Sequence, residues 1–198
     1  RTLTGLTALQ FAVIRKQPSI ATLLLEATKS IPAAVGQHRL LNEQPVLDDR
    51  FPYWFADSAL HYAIQYKFRP LAKAIIDFLS PEQCSLAQPD CTPLYSAIRF
   101  NRKIVFEKLF EKLKHNPAYL NVPSSQKRGC RTPVMFAIAQ GEYDLALKLI
   151  PAITSDGCMY ENEIGRTALD YAFYYVTEHN MQPLQEVIQS LIQHMNSD

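Results

Sequence analysis

One six-residue frame recurs along this chain and constrains its fold more than any other feature. It reads Thr132-Pro133-Val134-Met135-Phe136-Ala137, with Gly141 following. The same frame returns as Thr7-Ala8-Leu9-Gln10-Phe11-Ala12, Ser58-Ala59-Leu60-His61-Tyr62-Ala63, Thr92-Pro93-Leu94-Tyr95-Ser96-Ala97 and Thr167-Ala168-Leu169-Asp170-Tyr171-Ala172. Successive opening hydroxyl residues stand 51, 34, 40 and 35 positions apart. Two intervals lie near a stacking period of about 33 residues, and two carry insertions. An array of this kind works by presenting a surface, whereas most enzymes close a pocket.

A second apolar set follows each opening residue at offsets 13, 14, 17 and 18. It is Ile20, Ala21, Leu24 and Leu25 in the first unit, then Leu71, Ala72, Ile75 and Ile76, then Val105, Phe106, Leu109 and Phe110, then Leu145, Ala146, Leu149 and Ile150. In the fifth unit Val187, Ile188, Leu191 and Ile192 complete the pattern after seven extra residues. These offsets trace one stripe of a helix with 3.6 residues per turn. Each unit therefore predicts two short helices. The opening Thr or Ser is placed to cap the first by accepting from a free amide, and Pro93 and Pro133 suit a first helical turn, where a missing N–H costs nothing. Isolated helices this short are marginal in water, so neighbouring units must cover each stripe.

These units resemble ankyrin repeats, whose signature is Gly-x-Thr-Pro-Leu-His-x-Ala followed by a glycine and a Val/Leu-rich helix. Gly5-Leu6-Thr7 and Gly165-Arg166-Thr167 keep the Gly-x-Thr frame, Asp90-Cys91-Thr92 and Cys130-Arg131-Thr132 do not, and histidine holds its family position only at His61. The resemblance covers the chain apart from the insertions. It implies an all-α ankyrin-repeat solenoid of stacked helix-turn-helix units with loop insertions. A single domain over residues 1–198 is expected, with repeats near 3–28, 54–80, 88–113, 128–153 and 163–194 and insertions near 29–53 and 114–127.

Prolines at 32, 45 and 52 exclude one continuous helix across the first insertion, leaving room for a short one around Val35 to Asn42. Asn116-Pro117 and Pro123-Ser124-Ser125 are turn signals in the second. The fifth unit is expected to extend its first helix through Tyr174, Tyr175 and Val176, breaking near His179-Asn180. Insertions in such arrays map to loops, often on the binding side. Ala8, Leu9, Phe11, Ala12 and Val13 make the first helix apolar all round, while the last helix ends in polar Gln193 to Asp198. The chain also opens on Arg1 within what reads as a repeat boundary, so another repeat or domain is expected ahead of it.

The charge is uneven although the total is only +1. Residues 1–87 carry nine basic and seven acidic side chains, 88–131 nine and three, and 132–198 two and nine. Two readings stand side by side: a solvated outer face around an apolar stripe, with Lys103, Lys108, Glu111, Lys112 and Lys114 on one helix, or a docking polarity for a partner. An acidic end repels phosphate, so nucleic acid is not expected as a partner. No apolar run approaches the roughly 18 residues of a membrane span, and Cys84, Cys91, Cys130 and Cys158 lack paired metal or redox spacing. A monomer in the cytoplasm or another reducing compartment, without cofactor or metal, is the expectation.

The ankyrin resemblance also selects surface positions, namely the residues before each opening Thr and those seven and eight after it, which in similar proteins face a concave groove. Mapped here, they include Arg15, Trp54, Phe55, Tyr66, Arg99, Phe100, Arg128, Arg131, Arg166, Tyr174 and Tyr175. Aromatic rings and guanidinium forks carry disproportionate binding energy at interfaces. Core packing is the competing reading for any one of them, above all for Trp54 with Phe55 and Tyr174 with Tyr175. Changing Tyr66 and Phe100 together to Ala is expected to abolish partner binding and leave helix content intact.

Catalysis is not expected of this segment. His38, His61, His115, His179 and His194 are scattered, no phosphate-cradling glycine loop is present, and carboxylate pairs such as Asp48-Asp49 lie in expected loops. Two function classes follow: a protein-interaction module acting as adaptor or scaffold, or the substrate-recruiting segment of a larger enzyme. Unequal repeats and Asn/Gln-containing insertions are also similar to ankyrin proteins that intracellular bacteria secrete into host cells, which would place the chain in the host cytosol.

Overall fold

A computed structural model describes residues 7–29, 58–86, 91–124, 130–179 and 182–196. Most of the first insertion, including the short helix expected around Val35 to Asn42, lies outside them. The chain divides into two compact units, Arg1–Gln83 and Cys84–Asp198. Helices α1 (Ala8–Ile14), α2 (Pro18–Lys29), α3 (Ala59–Gln65) and α4 (Arg69–Phe78) belong to the first, and the division falls within α5 (Pro81–Ser85). The second holds α6 (Pro93–Arg99), α7 (Lys103–Leu113), α8 (Pro117–Leu120), α9 (Pro133–Ala139), α10 (Tyr143–Leu149), α11 (Ser155–Cys158), α12 (Ala168–His179) and α13 (Gln182–Met195). A 3₁₀ turn over Ile150–Ala152 follows α10.

Each frame's hydroxyl starts the first helix of a hairpin. The side chains of Thr7, Ser58, Thr92 and Thr132 accept from the amides of Gln10, His61, Tyr95 and Met135 at 3.2, 3.4, 3.2 and 3.3 Å. All four caps are buried, so losing one strands a donor away from water. Thr7 completes a capping box, its own amide donating to Gln10 Oε1 at 2.8 Å. At Thr167 a carboxylate takes the glutamine's place: Asp170 Oδ2 accepts from both the amide and the hydroxyl of Thr167 at 2.7 Å.

What stops the first helices is equally regular. Lys16, Lys67, Asn101 and Gly141, each nine residues after its opening residue, take φ of 56°, 65°, 51° and 73°. The amide after each of them reaches back to the carbonyl of Ala12, Ala63, Ala97 or Ala137 at 2.8–2.9 Å, the long bond of a Schellman turn. The turn aims the chain straight into α2, α4, α7 and α10. Phe68, Arg102 and Glu142 at the starts of the last three make no side-chain capping bond. In the fifth hairpin Val176 occupies this position inside α12, and the helix runs on to His179.

Within the first unit α1 packs on α2 and α3, and α4 on α2 and α3, around buried Leu9, Val13, Ala21, Leu25, Leu60, Ile64, Leu71 and Ile75. Within the second, α6, α9 and α12 lie side by side, each backed by its partner α7, α10 or α13. Tyr95 of α6 stacks on Phe136 of α9 with ring centroids 4.1 Å apart. Leu109, Val134, Leu149 and Leu191 are wholly buried, so emptying any leucine site to Ala costs about 2–5 kcal/mol. His194 Nε2 donates to the carbonyl of Ile153 at 2.7 Å, tying α13 to the turn after α10. The turn signal Asn116-Pro117 proves to be a helix start, with Asn116 Oδ1 accepting from Ala118 at 3.1 Å. Among the described residues no helix is long and apolar enough to cross a membrane.

Candidate protein-binding surface

In the first four hairpins the first helix is capped by a residue, Arg15, Tyr66, Phe100 or Gln140, whose side chain the stack leaves partly uncovered, because the chain must turn there. In the first unit the Arg15 guanidinium lies 5.2 Å from the centre of the Phe11 ring, with Arg15 itself exposed. Half-buried Tyr66 stacks on Tyr62 at 6.2 Å, leans on Phe68, and holds the Lys16 ammonium 5.6 Å above its ring. Tyr66 is thus partly committed to joining the two hairpins of its own unit.

In the second unit exposed Arg99 folds over half-buried Phe100 at 5.2 Å. Arg166 lies 5.6 Å from the centre of Tyr174, which is 47% exposed and meets Tyr175 edge-on at 5.2 Å. Arg131 is differently placed. Its Nε donates to the hydroxyl of buried Tyr171 at 3.0 Å, its guanidinium covers that ring at 5.2 Å, and its backbone is held on both sides by Ser124. Trp54, Phe55 and Arg128 lie outside the described residues. The structure therefore gathers Arg166, Tyr174 and Tyr175, pairs Arg99 with Phe100, and engages Arg131 in the scaffold.

Asn162 and Tyr171 organise this region and were not among the sequence candidates. Asn162, 6% exposed, accepts from the amides of Ile164 and Arg166 at 3.1 and 3.0 Å and donates from Nδ2 to the Tyr171 hydroxyl at 3.1 Å. Its amide donates to Arg166 O at 3.0 Å, and its carbonyl accepts from Gly165, at φ 69°, at 2.9 Å. The sequence signal was Asn162 three places before Gly165, a turn pattern that needs a positive φ at the glycine.

Some of the surface charge is paired internally. Lys103 pairs with Glu142 at 3.1 Å, Lys148 with Glu107, and Lys114 with Glu111 at 2.6 Å. The hydrogen bond to Glu142 raises the Lys103 ammonium above its ordinary range. Lys103 and Lys148 thus link α7 and α10 in opposite senses, one lysine from each repeat meeting a glutamate of the other.

His61 Nδ1 sits 2.8 Å from the Ser58 hydroxyl and is buried in the scaffold. The four cysteines are free, and burial pushes the thiols of Cys84 and Cys158 up to about 11. Cys130 is raised as well, by desolvation and by its hydrogen bond to Glu163. Among the described residues no group of three His, Cys, Asp or Glu could hold a metal ion. An open, apolar concavity of about 420 Å³ lies on the first hairpin, lined by Ala8, Phe11, Ala12, Arg15, Gln17, Ile20 and Leu24.

Capped, Schellman-terminated hairpins stacked side by side define an all-α repeat protein. Solved structures specify the class. An ankyrin repeat protein, EF0377, superposes with a TM-score of 0.61 at 17% identity, covering 100% of this chain and 84% of that one. A chain from the complex of the predatory endopeptidase Bd0816 of Bdellovibrio bacteriovorus with immunity protein Bd3460 gives 0.60 at 18% identity, covering 94% and 83%. The ankyrin repeat domain of Bcl-3, a member of the IkappaB protein family, gives 0.58 at 18%, covering 94% and 71%. The chain has the ankyrin-repeat fold. No family model matches the sequence, and no curated protein matches it. None of these likenesses supports an origin as a secreted effector.

Proposed function

We propose that this chain is an adaptor or scaffold that binds a partner protein or peptide through the ends of its first helices and the loop tips ahead of them. The observation that carries this reading is the cluster of Arg166, Tyr174 and Tyr175. A guanidinium is held over a ring that remains half exposed, so the cluster presents area and charge that the core does not use. Arg99 with Phe100 supplies a second such pair in the same unit, and Arg15 with Tyr66 belongs to the corresponding positions of the first. Trp54, Phe55 and Arg128 are assigned to the surface from their repeat positions, whereas Arg131 acts in the scaffold beside it. The alternative function, recruiting substrate for a catalytic domain elsewhere in a longer protein, uses the same surface.

Affinity capture from cytosolic extract tests this, with the natural protein and an Arg99→Ala/Tyr174→Ala variant in parallel. Both substituted residues are exposed, so circular dichroism should show unchanged helix content. A protein held by the natural chain and lost from the variant supports the reading. Equal capture by both overturns it.

A further inference from the structure

The loop between α11 and α12 is fixed in shape, yet it presents an apolar side chain to solvent. Asn162 ties it down through the bonds to Ile164, Gly165, Arg166 and Tyr171 described above, and at its tip Ile164 is 69% exposed. A rigid, exposed isoleucine offers binding area with little conformational entropy left to lose. Two residues on, Arg166 leans on Tyr174, so the tip adjoins the arginine–aromatic cluster.

Carboxylates outnumber guanidinium groups at this tip. Glu161 and Glu163 precede Ile164 and are both exposed, and Asp170 at the start of α12 is held ionised by its bonds to Thr167. Two arginines stand near these carboxylates, Arg166 lying on Tyr174 and Arg131 lying on Tyr171, and both are turned onto rings. A partner approaching Ile164 therefore meets Glu161 and Glu163 beside an apolar anchor.

The geometry points to a docking tip for a basic peptide segment, one that sets an apolar side chain against Ile164 and Tyr174 and Lys or Arg against Glu161 and Glu163. This rests on the protein-binding reading above and adds the chemistry of the partner. Complementary charge fixes register and speeds encounter, while the buried anchor supplies affinity. An acidic segment would face repulsion from Glu161 and Glu163 at the same tip.

Selection from a random peptide display library on the full chain tests it. The expected winners carry an apolar residue flanked by Lys or Arg. A synthetic, fluorescein-labelled winner should bind at least about tenfold more weakly to Ile164→Asp, measurably more weakly to Glu161→Gln/Glu163→Gln, and progressively more weakly as salt rises. Ile164 is at the surface, so the variants should melt as the natural protein does. Winners that are acidic or uncharged, or the absence of any winner, overturn the inference. Winners that bind Ile164→Asp normally but fail with Arg99→Ala/Tyr174→Ala overturn the tip while leaving the wider surface standing.

Discussion

Arg131 donates from Nε to the Tyr171 hydroxyl at 3.0 Å and covers the face of the same ring at 5.2 Å, joining the loop before α9 to helix α12. Asn162 Nδ2 donates to the same oxygen at 3.1 Å. One buried hydroxyl thus serves two donors from two different loops. Tyr171→Phe removes the acceptor and keeps the ring, leaving both donors without it at a cost of about 1–2 kcal/mol in urea unfolding. Arg131→Ala should cost a similar amount, which a residue reserved for a partner would not.

The turn position nine residues after each opening hydroxyl gives a second test. An L side chain at positive φ is disfavoured by about 1 kcal/mol relative to glycine, and Lys67 and Asn101 both occupy that region. Lys67→Gly and Asn101→Gly should each raise stability by about 0.5–1 kcal/mol. At Gly141 an added Cβ meets nothing within 4 Å, so Gly141→Ala isolates the backbone effect and should lower stability by about 1 kcal/mol. Thermal melts of the three variants, moving in opposite directions, check the assignment.

These turns show why some of the fold could be read from sequence and some could not. The hydroxyl caps and apolar stripes were legible because they repeat, and repetition separates a pattern from coincidence. Gly141 and Asn101 signal the left-handed turn by their residue type; at Lys16 and Lys67 the stack imposes a conformation that the side chain resists. Repeat position implies exposure at Arg99, Phe100, Arg166 and Tyr174, and the structure leaves Arg99, Arg166 and Tyr174 exposed and Phe100 half-buried. At Arg131 position says nothing of the tyrosine 40 residues away that engages the guanidinium. Asn162 escaped for the same reason, since its five hydrogen bonds depend on a folded loop and on helix α12.

Asp170 ties stability to pH. Hydrogen bonds from the Thr167 amide and hydroxyl hold its carboxyl below the usual carboxylate range. A depressed folded-state pKa contributes stability above the unfolded value, about 3.9, and that contribution fades as pH falls through the folded value. The group is largely exposed, so the gain is that of an ordinary surface cap, about 0.5–1 kcal/mol. Asp170→Asn should therefore be less stable than the natural protein at pH 7, with the gap closing in denaturation curves below about pH 4.

The cysteines should separate by reactivity. With thiols raised to about 11, Cys84 and Cys158 hold only about one part in a thousand as thiolate at pH 8. Partly exposed Cys130 should react first with an aromatic disulfide reagent. Glu163→Gln removes the carboxylate that keeps its proton in place, so labelling of Cys130 should become faster. Slower labelling would mean that Glu163 does not face this thiol.

The first hairpin is the place where position and burial part company. Phe11 is 40% exposed, whereas the residues at the same place in later repeats, Tyr62, Ser96, Phe136 and Tyr171, are 2%, 3%, 8% and 4% exposed. Ile20 is 50% exposed against 2%, 3% and 3% for Leu71, Val105 and Leu145. The repeat pattern assigns these side chains to an interface, and the structure leaves them at the open concavity. Free energy of truncation follows the area removed from water, so Phe11→Ala and Ile20→Ala should each cost under about 1 kcal/mol. Phe136→Ala and Leu71→Ala, at the same two repeat positions, should cost about 3–5 and 2–5 kcal/mol. Urea unfolding of the four variants reads the difference directly. A large cost at Phe11 would show that this face is covered in solution, and labelling with a photoactivatable carbene reagent would then show Ile20 and Leu23 protected.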